Sequence, residues 1–141
     1  MATIPSIKII NNKKHIFCLI RRKWILLTPE EKVRQFTLQL LINEYHFPQK
    51  YISVEKTITV NELSKRYDIV VFNQQLQPKI LIECKEETIE LNEKTLRQIA
   101  TYNLKLSVPF LVVTNGIHSF YFKIENETSS QIFVLPKFED L

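Results

Sequence analysis

Two stretches decide the fold: Tyr67-Asp68-Ile69-Val70-Val71-Phe72 and Lys79-Ile80-Leu81-Ile82-Glu83-Cys84-Lys85, separated by the polar loop Asn73–Pro78. Alternation puts Ile69, Val71, Ile80 and Ile82 on one face and Val70, Phe72 and Leu81 on the other, so both faces are apolar. Strands of that kind belong in the middle of a sheet covered on each side. If the hairpin closes symmetrically, Phe72 faces Lys79 and Asp68 faces Glu83, with Cβ atoms about 4.5–5.5 Å apart. Lys85, two residues on, shares the face of Glu83, and Cys84 points the other way.

Working outward, Ile52, Val54, Ile58 and Val60 alternate with polar residues and predict a strand, followed by a polar turn over Asn61–Lys65. Upstream, Thr28-Pro29-Glu30-Glu31 is a helix start, with Thr28 as N-cap, Pro29 at the first helical position and Glu31 completing a capping box. Val33, Phe36, Leu40 and Leu41 give that helix a buried stripe running to about Tyr45, before Phe47-Pro48. At about 100° per residue Glu30 lies about 60° from Val33, at the margin of the stripe, and Glu31 points away from it. A strand over His15–Ile20 and the apolar run Trp24–Leu27 precede the helix. A second helix spans roughly Asn92 to Leu106, with Leu96, Ile99, Ala100, Asn103 and Leu106 on one face. Strands over Phe110–Thr114 and Ile117–Lys123 flank the hairpin signal Asn115-Gly116, and Gln131–Leu135 is a last strand. The order predicts one α/β domain over 1–141, a mixed central sheet flanked by helices.

The chain has 141 residues, 19 Lys+Arg against 15 Asp+Glu, and one glycine. A single glycine excludes the phosphate-cradling loops that need two or three. Two cysteines and three scattered histidines exclude a disulfide framework and a four-ligand zinc site. No apolar run spans a membrane, and Met1–Asn12 lacks the core of a signal peptide, so the expectation is a cytoplasmic protein with reduced thiols and no membrane partner. The net charge of +4 permits a polyanionic partner without requiring one.

The chemistry rests on Asp68, Glu83 and Lys85. Two opposed carboxylates repel, and burying an unpaired charge is costly, so something must compensate them. Lys85 is a partial answer and a divalent cation a better one; hard oxygen ligands in small number suit Mg²⁺. A buried Asp–Lys–Glu network without chemistry, or a solvated hairpin end, fits the spacing equally well. Glu30 is either a third acid near the metal or a first-turn glutamate favoured by the helix dipole. Gln98 and Tyr102, four apart, either orient a phosphate or Lys85, or form an ordinary helix boundary. Arg21-Arg22-Lys23-Trp24 with Lys13 and Lys14 reads as a DNA-backbone patch or, more commonly, a solvated strand end. The aromatic set near the C-terminus reads as core and sheet edge, compatible with a homo-oligomer contact. Cys84 reads as a small core residue and not as a nucleophile.

Asp68, Glu83-Cys84-Lys85 and Gln98-Ile99-Ala100-Thr101-Tyr102 together resemble the D…ExK…QxxxY pattern of the PD-(D/E)XK nuclease superfamily. Arg22 to Gln35, Lys65 to Val71 and Val112 to Gly116 are similar to segments of one branch, the nuclease domain at the N-terminus of type I restriction enzyme R subunits. The resemblance covers about Arg22 to Phe122. It implies a restriction-endonuclease-like core that cuts DNA with Mg²⁺ (or Mn²⁺), in the company of other restriction-modification subunits. It further implies Asp68, Glu83 and the backbone carbonyl of Cys84 as metal ligands, and Lys85 as catalytic lysine. Glu30 would be the first-helix acid, with Glu31 the second choice, and Gln98 and Tyr102 accessory residues placing DNA or the lysine. Tyr67 stands where the superfamily's naming proline would be. A whole R subunit also carries an ATP-driven translocase, for which this sequence has neither the length nor the glycine-rich loop. It reads as a stand-alone relative or a single domain of a larger protein. The rival expectation is a non-catalytic DNA-binding or regulatory interaction module that keeps the fold.

Overall fold

A computed structural model describes residues 5–141, leaving the first four residues of the Met1–Asn12 segment outside the description. The N-terminal region is a small antiparallel sheet, β1 (Ile7–Ile10), β2 (Lys13–Cys18) and β3 (Lys23–Leu26), in the order β1-β2-β3. Sequence alternation marks only the second of these as a defined strand. The positive-φ pair Asn11 and Asn12 makes the tight β1–β2 turn, a conformation that asparagine tolerates. Helix α1 (Pro29–Gln39) follows, capped by Thr28, whose Oγ1 accepts from the Glu31 N–H at 3.1 Å, and it runs into a π-helical turn over Leu40–Glu44.

The main sheet has six strands in chain order: β4 (Ile52–Val60), β5 (Leu63–Phe72), β6 (Pro78–Cys84), β7 (Phe110–Thr114), β8 (Ser119–Glu125) and β9 (Thr128–Ile132). All pairs are antiparallel except β6 and β7, which run parallel because helix α2 (Glu93–Asn103) makes the crossover. The architecture is mixed α/β. One core, with Val33, Leu38 and Leu41 from the first helical region, packs on Ile69, Val71, Ile80 and Ile82. A second core, with Ala100 and Leu106, packs on Val70, Leu81, Leu111 and Val113. The two-faced burial read from β5 and β6 is therefore what the structure has, with Ile69, Val70, Val71, Ile80, Leu81 and Ile82 all at 0% exposure. The expected register also holds over Ile69↔Ile82, Val70↔Leu81 and Val71↔Ile80. At the loop end it slips: Phe72 pairs with Pro78 and not with Lys79.

Several expected boundaries move for local reasons. β5 begins at Leu63, since Val60 pairs with Leu63 around the two-residue turn Asn61-Glu62, with Asn61 at φ 56°. The last strand is Thr128–Ile132, set by the positive-φ turn Asn126-Glu127. β8 starts at Ser119 because Asn115 keeps the chain in a loop, its Oδ1 accepting from the Ile117 and His118 N–H groups. Gly116 sits there at φ 87°, with its missing Cβ only 3.4 Å from Val33 Cγ2.

On α1 the buried arc lies on the Arg34 side of Val33. At about 100° per residue, Thr37, Leu41, Arg34 and Leu38 fall successively round that side, whereas Phe36 falls about 60° to the other. Phe36 is accordingly 51% exposed, and Arg34, Gln35 and Thr37 are buried in its place.

One irregularity positions the site. In β5 Tyr67 belongs to the α2-side core but Ile69 to the α1-side core, and in β4 Ile58 and Val54 divide the same way. Strict alternation would keep each pair on one face. Both strands therefore switch faces between these residues, at Glu55 (φ 55°) and Asp68, the one opposed position missing from the ladder between Val54↔Ile69 and Lys56↔Tyr67.

The burial pattern sets a contrast in stability. Leu81→Ala should lower the unfolding free energy by about 2–5 kcal/mol, and Phe36→Ala by less than about 1 kcal/mol. Urea unfolding curves with unchanged slopes check both.

Candidate functional site

Where β5 and β6 run out of their pairing, the sheet opens into a cleft of about 550 Å³ whose walls include Glu30, Arg34, Lys65, Asp68, Glu83 and Lys85. Asp68 is fixed at both oxygens. Oδ2 accepts from the Cys84 backbone N–H at 2.8 Å, and Oδ1 from Arg34 Nη2 at 2.7 Å. The face switch makes this possible, because it frees Asp68 from the β4 ladder and turns its carboxylate across the end of β6.

Arg34 is the hub. Its side chain is 8% exposed, and it also meets Glu31 Oε1 at 2.5 Å and Glu30 Oε1 at 3.2 Å. Glu31, expected to point away, is buried. It also accepts from Arg21 Nη2 at 2.5 Å and Gln35 Nε2 at 3.1 Å. The reason is the rotated arc of α1, which carries Glu31 round to the flank of Leu38. Glu55 closes the ring, 2.7 Å from Arg66 and 3.7 Å from Arg21. Burial alone would lower the Arg34 pKa, but its Asp68 hydrogen bond and the charges of Glu31, Asp68 and Glu55 raise it, so the guanidinium stays charged. Burial would raise the Glu55 pKa, yet its bond to Arg66 and the charges of Arg34, Arg66 and Arg21 hold it below the usual carboxylate value.

Glu83, with its side chain 7% exposed, pairs with Lys65 Nζ. That ammonium also stands 5.0 Å from the ring centres of both Tyr67 and Tyr102. Burial and the charge of Lys85 lower the Lys65 pKa, against the opposing effect of Asp68. Tyr67 donates its hydroxyl to Asn103 Oδ1, tying this wall to α2. Lys85 is half-buried in the cleft wall, and no ion pair binds it among the described residues.

The structure thus brings Asp68, Glu83, Lys85 and Glu30 to one cleft, and corrects how their charges are compensated. In place of Lys85 between two opposed acids, Arg34 from α1 holds Asp68 and Lys65 holds Glu83. Among the described residues no three His, Cys, Asp or Glu side chains form a group that could hold a metal ion. Cys84 is 3% exposed in the α1-side core, 3.9 Å from Thr37 Oγ1, and burial lifts its thiol pKa to about 12. Tyr102 joins the cleft through Lys65. Gln98 does not, and the two side chains together line a separate depression on α2 with Asn92 and Arg97.

Sequence reasoning missed Arg34, Lys65 and Glu55. Arg34 carried a signal, since it follows Glu31 by three residues and Glu30 by four on one helix. Lys65 was concealed by a turn drawn too long. Nothing local announces the left-handed backbone of Glu55.

The fold and cleft define a mixed α/β domain with an acid- and lysine-lined opening at the end of its central strands. A family model, the type I restriction enzyme R protein N terminus (HSDR_N), matches residues 29–137. The chain belongs to that family. The match begins at residue 29 rather than Arg22 and runs past Phe122; it takes in every cleft residue and leaves out β1–β3. No curated protein matches the chain. No helix among the described residues is long and apolar enough to cross a membrane.

Arg34→Met leaves Glu31 and Asp68 without their shared cation. It should cost about 3–5 kcal/mol in thermal or denaturant unfolding, the scale for breaking a buried pair. The lowered pKa of Glu55 has a definite sign. Its stabilising effect is complete above the ordinary carboxylate pKa and is lost as pH falls through the lowered folded-state value. Wild type should therefore exceed Glu55→Gln in melting temperature at pH 7, and the two should converge as the medium is acidified.

Proposed function

We propose that this chain is a Mg²⁺-dependent DNA endonuclease domain of the PD-(D/E)XK kind, a single unit over 1–141 that works in the cytoplasm with other restriction-modification subunits. One observation carries the reading: Glu30, Asp68, Glu83 and Lys85 share one cleft at the end of adjacent strands, in a chain of the R protein N-terminus family.

The donor chemistry fits the ion. Mg²⁺ binds through one or two carboxylates and completes its shell with water and substrate phosphate, so Asp68 and Glu83, helped by the Cys84 carbonyl, are a sufficient protein set. When bound, the ion supplies Lewis-acid stabilisation of a phosphodiester and a more acidic water, and Mn²⁺ can substitute. The rest is done by the chain. The Cys84 N–H and Arg34 hold the Asp68 carboxylate in orientation. Lys85, free of carboxylate partners among the described residues, places a positive charge where a phosphate oxygen or attacking water would sit. Tyr67 and Tyr102 keep the Lys65 ammonium against Glu83. Glu30, the most exposed acid of the Arg34 set, is the first-helix acid at the cleft mouth. Gln98 lies outside the cleft, which suits a contact with DNA beyond the reacting phosphate.

A second reading, a non-catalytic DNA-binding or regulatory module, is favoured by one observation: both acids already hold an organic cation.

Calorimetry with Mg²⁺ and Mn²⁺, with and without a short duplex, separates the two. The nuclease reading expects metal binding in wild type and in Lys85→Ala, and its loss in Asp68→Asn/Glu83→Gln. Cleavage of plasmid DNA should fall by at least about a hundredfold in both variants, the scale of losing one preorganised electrostatic group. Normal cutting by Asp68→Asn and Lys85→Ala refutes the site. No metal binding even with DNA present supports the second reading.

A further inference from the structure

The first acid in the chain is Glu30, and six cations precede it: Lys8, Lys13, Lys14, Arg21, Arg22 and Lys23. The whole chain carries only +4, so everything after residue 29 is net acidic and the positive charge is segregated into the N-terminal sheet. Of the six, only Arg21 has a carboxylate partner among the described residues. Its bonds to Glu31 and Glu55 fasten the β2–β3 turn beside the cleft. The other five are exposed.

Alternation sorts this sheet into two faces. Ile16 and Cys18 of β2 turn inward and are 5% and 0% exposed. Lys13, His15 and Phe17 turn outward, and the register sets Lys8 and Leu26 beside His15 and Trp24 beside Phe17. Phe17 meets Trp24 edge-on at 5.4 Å between ring centres, and Lys8 Nζ stands 4.2 Å over the Trp24 ring. Neither ring belongs to either core. The outward face therefore carries an aromatic pair and two lysines, Lys8 and Lys13, with no acid on its own strands.

We propose that this face, Lys8, Lys13, Phe17 and Trp24 with Arg22 at its rim, binds single-stranded DNA. Lysines take the phosphates, and a base stacks on Trp24, a ring that already accepts a cation on its face. A duplex keeps its bases paired and stacked, and would use the charge without the aromatic centre. The surface lies outside the family match over 29–137 and is separate from the acidic cleft, so it stands whether or not the cleft binds metal.

Trp24 is the chain's one tryptophan, so its fluorescence reports this face directly. The test is a titration of the full chain with a 20-nucleotide oligo(dT) in EDTA, at several salt concentrations, with circular dichroism of each variant as a check on folding. The expected result is saturable quenching. Lys8→Gln/Lys13→Gln should bind about tenfold or more weakly and lower the salt slope by about 1.4, the value for two lost single-strand phosphate contacts. Trp24→Leu, followed by anisotropy of a labelled oligonucleotide, should weaken binding by about fivefold to a hundredfold. No binding, binding without quenching, or a lysine double variant equal to wild type overturns the proposal. Tighter binding of a matched duplex with the same quench overturns the single-strand assignment.

Discussion

The guanidinium of Arg34 is the contact on which the site depends. A buried cation is tolerated only if its surroundings replace the water it has lost, and here Asp68, Glu31 and Glu30 do so within 3.2 Å. That requirement couples three parts of the chain. Arg34 joins α1 to β5 through Asp68. Glu31, held by the same group, joins α1 to the N-terminal sheet through Arg21. The helix cannot rotate to bury Phe36 in place of Thr37 without withdrawing Arg34 from its acids. The polar network thus fixes which side of α1 faces the sheet, a choice that apolar packing alone would leave weakly determined.

The second constraint is the face switch at Glu55 and Asp68. An ordinary strand would put Asp68 on the same face as Val70, under α2. The switch places it at the border of the two faces, where it can meet a group from α1 and the end of β6 together. Glu83, on the face of Leu81, takes its partner from Lys65 on the α2 side. Asp68 reaches the cleft from the border of the two faces and Glu83 from the α2 side, which is why each has its own cation.

What could be read from the sequence divides along this line. The doubly buried strands, their register over Ile69–Val71, the α2 face and the Thr28 cap follow from short-range pattern, and the structure has them. Asp68, Glu83 and Lys85 stand out because charge is conspicuous in apolar strands. Their partners do not, because the partnerships are tertiary. Arg34 was hidden by a stripe drawn through Phe36, Lys65 by a turn that is two residues long, and Asp68's orientation by a left-handed Glu55. The capping motif at Thr28 suggests a role for Glu31 at the helix end, whereas Arg34, Gln35 and, from another sheet, Arg21 hold that side chain inward.

The parallel pairing of β6 and β7 has a consequence for the order of assembly. β4, β5 and β6 close on one another through the short connections Asn61-Glu62 and Asn73–Gln77, so their contacts form at small loop-closure entropy. β7 can join β6 only after the whole crossover through α2 has been brought back across the sheet. Asp68, Glu83 and Lys65 all stand on the early meander, whereas Tyr102 arrives with the crossover. The meander sets the strand-borne charges and Tyr67 of the cleft, and the crossover later adds Tyr102 beside Lys65.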